Sequence, residues 1–291
     1  MHYARTHYAM NNAVHLNLDN AWPERILGLP FTNAIKWGKR LRYVAREHDI
    51  DAFYRDTRAD AFPFILYGSG DFHHLAGVLI RRIEQKPFTL ISFDNHPDWD
   101  IKPPYWSCGG WAARALKTGF VKRVSVWGCG NFELQWPARI FADWRAIKAG
   151  AFEIHAWAER QSAAVQKRFN CMTRENWRER FSKFAQSLSQ QNVYVTIDMD
   201  CLRREEAVTN WENGLFTADD VAWAVGLLRS NANLVGGDLC GAYSVPEYER
   251  FGQRFAGNWD HPKIPTPNAD EAAKVNLNSL QKIWPVLTGS V

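Results

Sequence analysis

Short apolar runs alternate along this chain with segments in which apolar residues recur every three or four positions. Continuous apolar runs are typical of strands covered on both faces, and the wider spacing is typical of amphipathic helices. The runs predict strands at 14–18, 61–67, 88–93, 121–127, 151–155, 193–197 and 233–235. The spaced segments predict helices at 31–48, 74–83, 111–119, 137–149, 173–190 and 217–229, the last with Thr217 as its N-cap.

Strands that alternate with helices predict a parallel sheet with right-handed crossovers, which is an α/β fold. The chain has 291 residues and shows no internal repeat, low-complexity stretch or linker, so we expect a single domain over residues 1–291. In such sheets ligands bind beyond the carboxyl ends of the strands. Five predicted strand ends carry glycine-rich or acidic segments: 68–70, 94–98, 128–130, 198–200 and 236–237.

Two of these strand ends carry side chains that commonly bind metal ions. Residues i and i+2 of a strand point to the same side, so Asp94 can lie beside His96, and Asp198 beside Asp200. The segment Gly-Asp-Phe-His-His at 70–74 adds a histidine at a third strand end. The predicted metal ligands are His73, Asp94, His96, Asp98, Asp198 and Asp200.

The charge of this cluster determines how many ions it needs. Four carboxylates cannot be buried together in the charged form without large pKa shifts. Two divalent cations bring the sum to zero, and carboxylates can bridge them. Oxygen-rich ligation with two imidazoles suits Mn²⁺, and the same donors also accept Fe, Co, Ni or Zn. Taken singly, each residue has a simpler explanation as a helix-start histidine or a turn residue, but together they predict a metal site.

Composition limits the partners and the location that we expect. Hydrophobic residues make up 46% of the chain and charged residues 23%, which is enough for a full core. The net charge of +4 is spread over isolated basic pairs, so we expect no nucleic-acid partner. The five cysteines form no CxxC motif, and neither a signal peptide nor a membrane-length apolar stretch occurs. We therefore expect a cytoplasmic protein that acts on a small molecule and not at a membrane, with a homo-oligomer left open.

The three ligand-bearing segments resemble the arginase/agmatinase (ureohydrolase) family. That family has, in chain order, Gly-Gly-Asp-His-Ser, Asp-Ala-His-x-Asp and Ser-x-Asp-x-Asp-x-x-Asp-Pro elements. This chain has Gly-Asp-Phe-His at 70–73, Asp-Asn-His-Pro-Asp at 94–98 and Thr-Ile-Asp-Met-Asp at 196–200. The likeness covers residues 61–245, and residues 1–60 are divergent. The resemblance implies a three-layer α/β/α sandwich around a mainly parallel sheet of about eight strands.

The resemblance also implies two Mn²⁺ ions that share the ligands. One ion would take His73, Asp94, Asp98 and Asp198, and the other His96, Asp94, Asp198 and Asp200. A hydroxide that bridges the ions would attack a trigonal carbon in a guanidino or other linear amidine C–N bond. Asp98 would orient the hydroxide and pass on its proton.

This chain departs from the family where the family contacts its substrate. The Asp-Pro of the third element is missing, and the glutamate that pairs with the guanidinium corresponds to Gly241. A guanidinium without a facing carboxylate loses a strong bidentate contact. Either Asp238, Glu212 or Glu247 replaces that glutamate, or the substrate is not a guanidinium.

The resemblance also points to residues outside the ligand set. The loop 107–111 lacks the family's proton-shuttling histidine, and His74 is a candidate substitute, with a surface or capping role as the alternative. Asp100 and Glu133 fall where the family has residues near the bound ligand, and Trp211 falls where it lines its pocket. We predict Asp98 and His74 as catalytic residues and Asp100, Glu133, Trp211 and Asp238 as substrate contacts.

The function that we expect is a binuclear metal hydrolase that cleaves a linear C–N bond in a small molecule and is not a true arginase. Two other hypotheses stay open. One is a metal-dependent amidase or deacetylase on the same scaffold. The other is a non-catalytic relative that keeps metal for stability or as a binding subunit. The reaction product separates them, because a ureohydrolase releases urea or ammonia and a deacylase releases acetate or formate.

Overall fold

An eight-stranded sheet runs through the computed structural model, which describes residues 12–57, 61–101 and 106–290. These residues form the strands β1 (Ala13–Asn17), β2 (Phe31–Asn33), β3 (Val44–Ala45), β4 (Phe64–Tyr67), β5 (Phe88–Phe93), β6 (Trp106–Ser107), β7 (Val121–Trp127), β8 (Phe152–His155), β9 (Asn192–Asp198) and β10 (Asn233–Cys240). The sheet has the order β2-β1-β4-β10-β9-β5-β7-β8, and every pair in it is parallel. The strands β3 and β6 form a separate antiparallel pair.

Helices cover both faces of this sheet. The described residues form α1 (Ile35–Leu41), α2 (Glu47–Thr57), α3 (Ala76–Leu79), α4 (Trp111–Lys117), α5 (Trp144–Lys148), α6 (Ala163–Arg168), α7 (Trp177–Ser187), α8 (Ala218–Asn231), α9 (Phe251–Asp260) and α10 (Ala269–Thr288). One hydrophobic cluster includes residues of α1 to α4, and a second includes residues of α7, α8 and α10. Two helical layers around one sheet make the predicted α/β/α sandwich, which is confirmed.

The central strands bring their carboxyl ends to the same edge of the sheet. β9 pairs with β5 so that Ile197 lies opposite Phe93. β10 lies on the other side of β9, with Cys240 opposite Asp198. All residues of β5 are buried, as its continuous apolar run predicts. This register fixes which side chains emerge together at the edge.

The region 31–48 is not the single helix that its apolar spacing predicts. It contains β2, α1, β3 and the start of α2. β2 adds to the edge of the sheet beside β1, so pairing with a neighbouring strand overrides the local periodicity. The predicted helix at 74–83 also begins differently, because a 3-10 helix over Gly70–Leu75 precedes α3.

The pair Gly236–Gly237 lies within β10 and not at a strand end, contrary to the prediction. A Cβ at Gly236 would lie 2.8 Å from Pro63 O, and a Cβ at Gly237 would lie 2.7 Å from Val195 O. The glycines therefore let β10 fit closely between its neighbours β4 and β9. The strand continues to Cys240, which is the residue that reaches the edge.

The helices α9 and α10, beyond the last strand, are missing from the sequence-based prediction. In α10 the residues Leu280, Ile283, Trp284 and Leu287 are buried in the second hydrophobic cluster. Their spacing is a helical signal that could have identified α10. Within the described residues, no helix combines the length and the hydropathy that crossing a membrane requires.

Thr217 starts α8 as predicted, and its loss is expected to destabilise the fold. Its hydroxyl accepts from Asp220 N, and the Asp220 carboxylate accepts from Thr217 N. We expect Thr217→Ala to lower the free energy of unfolding by about 1 kcal/mol, because this capping box is lost. Ser162→Ala is the matched control, since Ser162 is the N-cap of α6 without a side-chain hydrogen bond there. Urea unfolding followed by circular dichroism measures both, and equal losses would contradict the capping role.

Candidate metal centre

Three strand ends meet at one place on the edge of the sheet. Asp94 follows β5, and Asp198 ends the neighbouring strand β9. His73 lies in the 3-10 helix that follows β4. The six predicted ligands all lie here, and none of their side chains is more than 12% exposed: His73, Asp94, His96, Asp98, Asp198 and Asp200.

A first group of ligands surrounds the Nδ1 atom of His73. This atom lies 3.0 Å from Asp94 Oδ2, 3.2 Å from Asp98 Oδ2 and 3.6 Å from Asp198 Oδ2. His73, Asp94 and Asp98 offer ligand atoms that all lie within 4.8 Å of one another. Donors about 2.1 Å from one ion lie roughly 3 Å apart, so these separations suit a common ion.

A second group of ligands shares Asp94 with the first. His96 Nδ1 lies 2.8 Å from Asp200 Oδ2 and 3.5 Å from Asp94 Oδ1. These three residues also offer ligand atoms within 4.8 Å of one another. Asp94 therefore turns Oδ2 toward the first group and Oδ1 toward the second. A carboxylate with one oxygen in each group can bridge two ions.

Cys240 is a candidate ligand that the sequence-based prediction lacks. Its sulfur lies 3.6 Å from Asp198 Oδ2, and these two residues form a third group with His73. Burial, together with the nearby Asp198 and Asp238, raises the pKa of the thiol well above its usual value. The sequence-based prediction ends the last strand at residue 235. It therefore does not identify Cys240 as the residue at the end of that strand.

Burial dominates the electrostatics of the cluster. It raises the pKa of Asp98 to about 7 and that of Asp200 to about 6, and repulsion by Asp94 acts in the same direction. Burial also opposes the charged forms of His73 and Asp94, but contact with oppositely charged neighbours outweighs it. The pKa of His73 is therefore raised well above its usual value, and that of Asp94 is lowered.

The residues present fit the divalent ions that were predicted. Four carboxylates face only two imidazoles, so the cluster carries an excess of negative charge when ionised. Asp94 Oδ2 is buried, and no donor in the described part of the chain is aligned with it, although His73 lies beside it. An oxygen-rich set with two imidazoles suits Mn²⁺ and related ions.

A chain of hydrogen bonds orients His73 from the side away from the carboxylates. His73 Nε2 lies 2.9 Å from Thr196 Oγ1, and this hydroxyl donates to Asp238 Oδ1 at 2.7 Å. A hydroxyl has one proton to donate, so Thr196 accepts from the N–H at Nε2 of His73. In neutral His73 this leaves the lone pair on Nδ1, the nitrogen that faces the other ligands. Tyr67 and Tyr194 also donate to Asp238.

Asp98 is held in an unusual backbone conformation. Its φ is 48°, in the left-handed region that non-glycine residues rarely adopt. The indole of Trp111 donates a hydrogen bond to Asp98 Oδ2. Surrounding contacts therefore fix this carboxylate, as is common where strain persists at a functional site.

Two glycines let the backbone approach Asp198 closely. A Cβ at Gly70 would lie 2.7 Å from Asp198 Oδ2. A Cβ at Gly241, whose φ is 107°, would lie 2.2 Å from Asp198 Oδ1. Gly241 is the position that the resemblance matches with the guanidinium-pairing glutamate. A side chain at this position would displace Asp198, so the glutamate has no room here.

Two adjoining cavities lie above the ligands. The metal cavity, of about 30 Å³, is lined by the six predicted ligands, and the outer cavity has a volume of about 690 Å³. Four residues line both: Cys108, Gly109, Glu133 and Asp260. Among the predicted substrate contacts, Trp211 lines the metal cavity, Glu133 lies at the junction and Asp100 lines the outer cavity.

The structure does not place His74 or Asp238 in either cavity. Both side chains are fully buried, and neither ring nitrogen of His74 has a hydrogen-bond partner among the described residues. Burial lowers the pKa of His74 to about 3, so the ring is neutral at physiological pH. A buried ring outside the cavities cannot exchange protons with a substrate there. Asp238 accepts a hydrogen bond from Thr196, whose hydroxyl lies beside His73.

The three acids that could replace the missing glutamate occupy different surroundings. Glu212 Oε2 lies 3.6 Å from His96 Nε2, beside the second ligand group. The side chain of Glu247 is 61% exposed and is paired with Lys39 at 3.1 Å. Asp238 is buried behind His73. Of these three acids, only Glu212 lies beside the ring of a predicted ligand that lines the metal cavity.

A buried network beside the metal cavity contains residues that the prediction lacks. Asp71 accepts hydrogen bonds from Arg42 Nε at 2.6 Å and from Trp211 Nε1 at 3.1 Å. Asp71 Oδ1 also lies 2.6 Å from His261 Nε2. The neighbouring Asp260 lines both cavities. No local motif marks Asp260 or His261, because the packing of α9 brings them to the site.

Comparison with known proteins gives relatives of low sequence identity. No family model matches the chain. An uncharacterized protein from Thermotoga maritima is 26% identical over 219 residues, which is 75% of this chain and 66% of that protein. The match therefore spans just under two thirds of the relative's own length.

Solved structures match the whole fold. A provisionally assigned agmatinase from Clostridium difficile is 14% identical, with a TM-score of 0.55 over 97% of this chain and 99% of that chain. Arginase from Bacillus cereus is 12% identical, with a TM-score of 0.54 over 95% and 98%. Proclavaminate amidino hydrolase from Streptomyces clavuligerus is 15% identical, with a TM-score of 0.52 over 84% and 70%. The chain therefore has the arginase-like α/β/α fold, and the predicted resemblance is confirmed at the level of the fold.

Removing the support behind His73 is expected to weaken metal binding. Thr196→Val deletes the hydroxyl that holds Nε2, and we expect the affinity for Mn²⁺ to fall about 10- to 100-fold. Thr89→Val is the matched control, since Thr89 is a buried threonine of β5 whose hydroxyl has no partner among the described residues. Competition with a metal-binding dye measures both dissociation constants. Unchanged affinity in Thr196→Val, or equal losses in both variants, would rule out the supporting role.

The close approach of Gly241 to Asp198 gives a second prediction. We expect Gly241→Ala to lose at least one equivalent of bound metal, because the new Cβ displaces Asp198. Gly150→Ala is the control, since Gly150 has a φ of 70° and a Cβ there meets nothing within 4 Å. Both variants carry backbone strain of the order of 1 kcal/mol. Atomic absorption of dialysed protein gives the metal content, and identical metal loss in both variants would contradict the role of the contact.

Proposed function

We propose that this chain is a divergent ureohydrolase of the arginase/agmatinase family, a binuclear metal-dependent hydrolase of a linear C–N bond in a guanidino or amidine-type small molecule. The observation that carries the proposal is the position of Asp94, whose two carboxylate oxygens face two different ligand groups. The arginase-like fold supports the same class of chemistry.

Six side chains would hold two divalent ions, with Mn²⁺ as the expected metal. His73, Asp94, Asp98 and Asp198 would hold one ion, and His96, Asp94, Asp198 and Asp200 the other. Four carboxylates and two divalent ions give a neutral sum, which removes the repulsion that burial otherwise imposes. Cys240 lies beside this set, with its sulfur 3.6 Å from Asp198 Oδ2, and could add a soft donor to it.

The reaction that follows is hydrolysis of a C–N bond at a trigonal carbon. The bound ions would supply a water that ionises near neutral pH. Asp98 would orient this water, because the indole of Trp111 and the neighbouring His73 fix its carboxylate. The same carboxylate would take up the proton of the water and pass it to the departing nitrogen as the C–N bond breaks.

Carboxylates around the cavities favour a cationic reacting group. Glu133 and Asp260 line the metal cavity, and Glu212 lies beside His96. Glu133 Oε2 is buried and has no hydrogen-bond partner among the described residues, so it could accept from an amidine N–H. Burial raises the pKa of Glu133 to about 8, against the effect of His96, and a bound cation would favour its ionised form.

The substrate would differ from that of a true arginase. The glutamate that pairs with the guanidinium in the family has no room at Gly241. Glu133, Glu212 and Asp260 approach from other directions, so a cation would bind in a different orientation. We therefore expect arginine to be a poor substrate.

A metal-loaded activity screen tests the proposal. The purified chain, loaded with Mn²⁺, is incubated with panels of guanidino, amidine and N-acyl compounds. We expect two ions per chain and release of urea or ammonia from at least one guanidino or amidine compound. Release of acetate or formate alone would favour the amidase or deacetylase. Two bound ions without turnover in any panel would favour a non-catalytic relative.

Asp198→Ala is the variant that should abolish activity. We expect it to lose at least one ion and to show only background turnover, because Asp198 faces the first ligand group and its loss breaks the set. Asp219→Ala is the control, since the Asp219 side chain is 69% exposed on α8. Full metal content in Asp198→Ala would contradict the proposed site.

A further inference from the structure

We infer that the outer cavity binds the body of the substrate, and that this body is a bulky apolar group carried behind the cationic reacting group. The identity of the reacting group rests on the proposed function, whereas the apolar character of the rest of the substrate does not.

The difference in volume between the two cavities is the first observation. The metal cavity measures about 30 Å³, which the ions and the reacting group would fill, whereas the outer cavity measures about 690 Å³. Pockets that enclose drug-sized ligands measure roughly 300–1,000 Å³. A short aliphatic substrate would therefore leave most of the outer cavity to water.

The walls of the outer cavity are rich in apolar side chains. They include Val44, Phe132, Ala138, Phe141 and Ala256. Phe132 is 55% exposed and Phe141 is 39% exposed, so both rings present apolar surface to solvent beside the cavity. An apolar ligand group would remove this surface from water, which is favourable in proportion to the area covered.

The charged groups of the lining define an orientation for the ligand. Glu133 and Asp260 lie at the junction, where both cavities meet. Arg250 lies in the lining of the outer cavity but already donates to Val44 O at 2.7 Å and Asp49 Oδ2 at 3.3 Å. Arg46 is exposed to solvent. Asp100 is the other acid among the described residues that line the outer cavity. The two acids at the junction favour a cation beside the metal cavity, and the apolar side chains favour an apolar group beyond it.

The wall formed by α9 is held in place without a ligand. Gln253 Nε2 donates to the carbonyl of Arg42, and Arg250 anchors the start of the helix to Val44. These bonds hold the inner face of α9, including Ala256 and Asp260, against the cavity. A preformed wall lowers the cost of ordering a ligand on binding.

Equilibrium binding of a matched pair of cations tests the inference. Isothermal titration of the Mn²⁺-loaded chain compares butylguanidinium with 4-phenylbutylguanidinium, which share the head group and differ by one ring. We expect the phenyl compound to bind at least about 10-fold more tightly, the lower end of the effect of burying a phenyl-sized group.

Two variants fill the outer cavity from two different helices that line it. We expect Ala256→Trp and Ala138→Trp each to remove most of the advantage of the phenyl compound, while the dissociation constant of butylguanidinium changes by less than about threefold. Phe255→Trp is the matched control, because it introduces the same side chain next to Ala256 on a face of α9 where Phe255 is 63% exposed. This control should keep the full advantage of the phenyl compound. Circular dichroism checks the fold of each variant. One correctly folded tryptophan variant is enough for the test.

The outcomes separate this inference from the proposed function. Equal affinities of the two compounds for the wild-type chain, or no binding of either, would overturn the inference. Persistence of the phenyl advantage in a folded tryptophan variant would also overturn it. The variants could remove the tighter binding of the phenyl compound while the chain hydrolyses no guanidine. This result would support the apolar body of the substrate and contradict only the proposed reaction.

Discussion

The repulsion among buried carboxylates at the ends of β5 and β9 is the constraint on which the rest of this site depends. Parallel pairing of the two strands places Asp94 and Asp198 at the same edge of the sheet, and Asp98 and Asp200 follow within the next turns. In a buried position these groups repel one another, and the pKa values of three of them are raised. The imidazoles of His73 and His96 supply positive charge that relieves this crowding, and divalent ions would supply more.

The hydrogen bonds around the cluster orient the predicted ligands more than they change the charge of the cluster. Thr196 and Asp238 set which nitrogen of His73 faces the other ligands, and Trp111 holds the carboxylate of Asp98. The same close packing has a consequence for the substrate. Because the backbone of Gly241 lies close to Asp198, the position after β10 has no space for a carboxylate side chain. An acid that faces a bound cation would have to come from another segment.

Those other segments come from parts of the chain that are distant in sequence. Glu133 follows β7, and Asp260 ends α9, a helix that is anchored to the backbone around β3. The metal cavity is built by the regular geometry of a parallel sheet, whose strand ends lie at one edge. The outer cavity depends on how one helix and two loops pack above that edge.

The amino-acid sequence by itself determined seven of the eight strands of the sheet, their parallel pairing and the six side chains that converge, because apolar runs are local properties of the chain and the ends of parallel strands meet at one edge. It did not reveal the role of Asp238, the burial of His74 or the presence of Cys240 and Asp260 at the site. Those facts depend on the register of β10, on the side of the sheet that each turn faces and on the packing of α9. Only the tertiary structure decided them, because contacts between distant segments leave no periodic pattern in the chain.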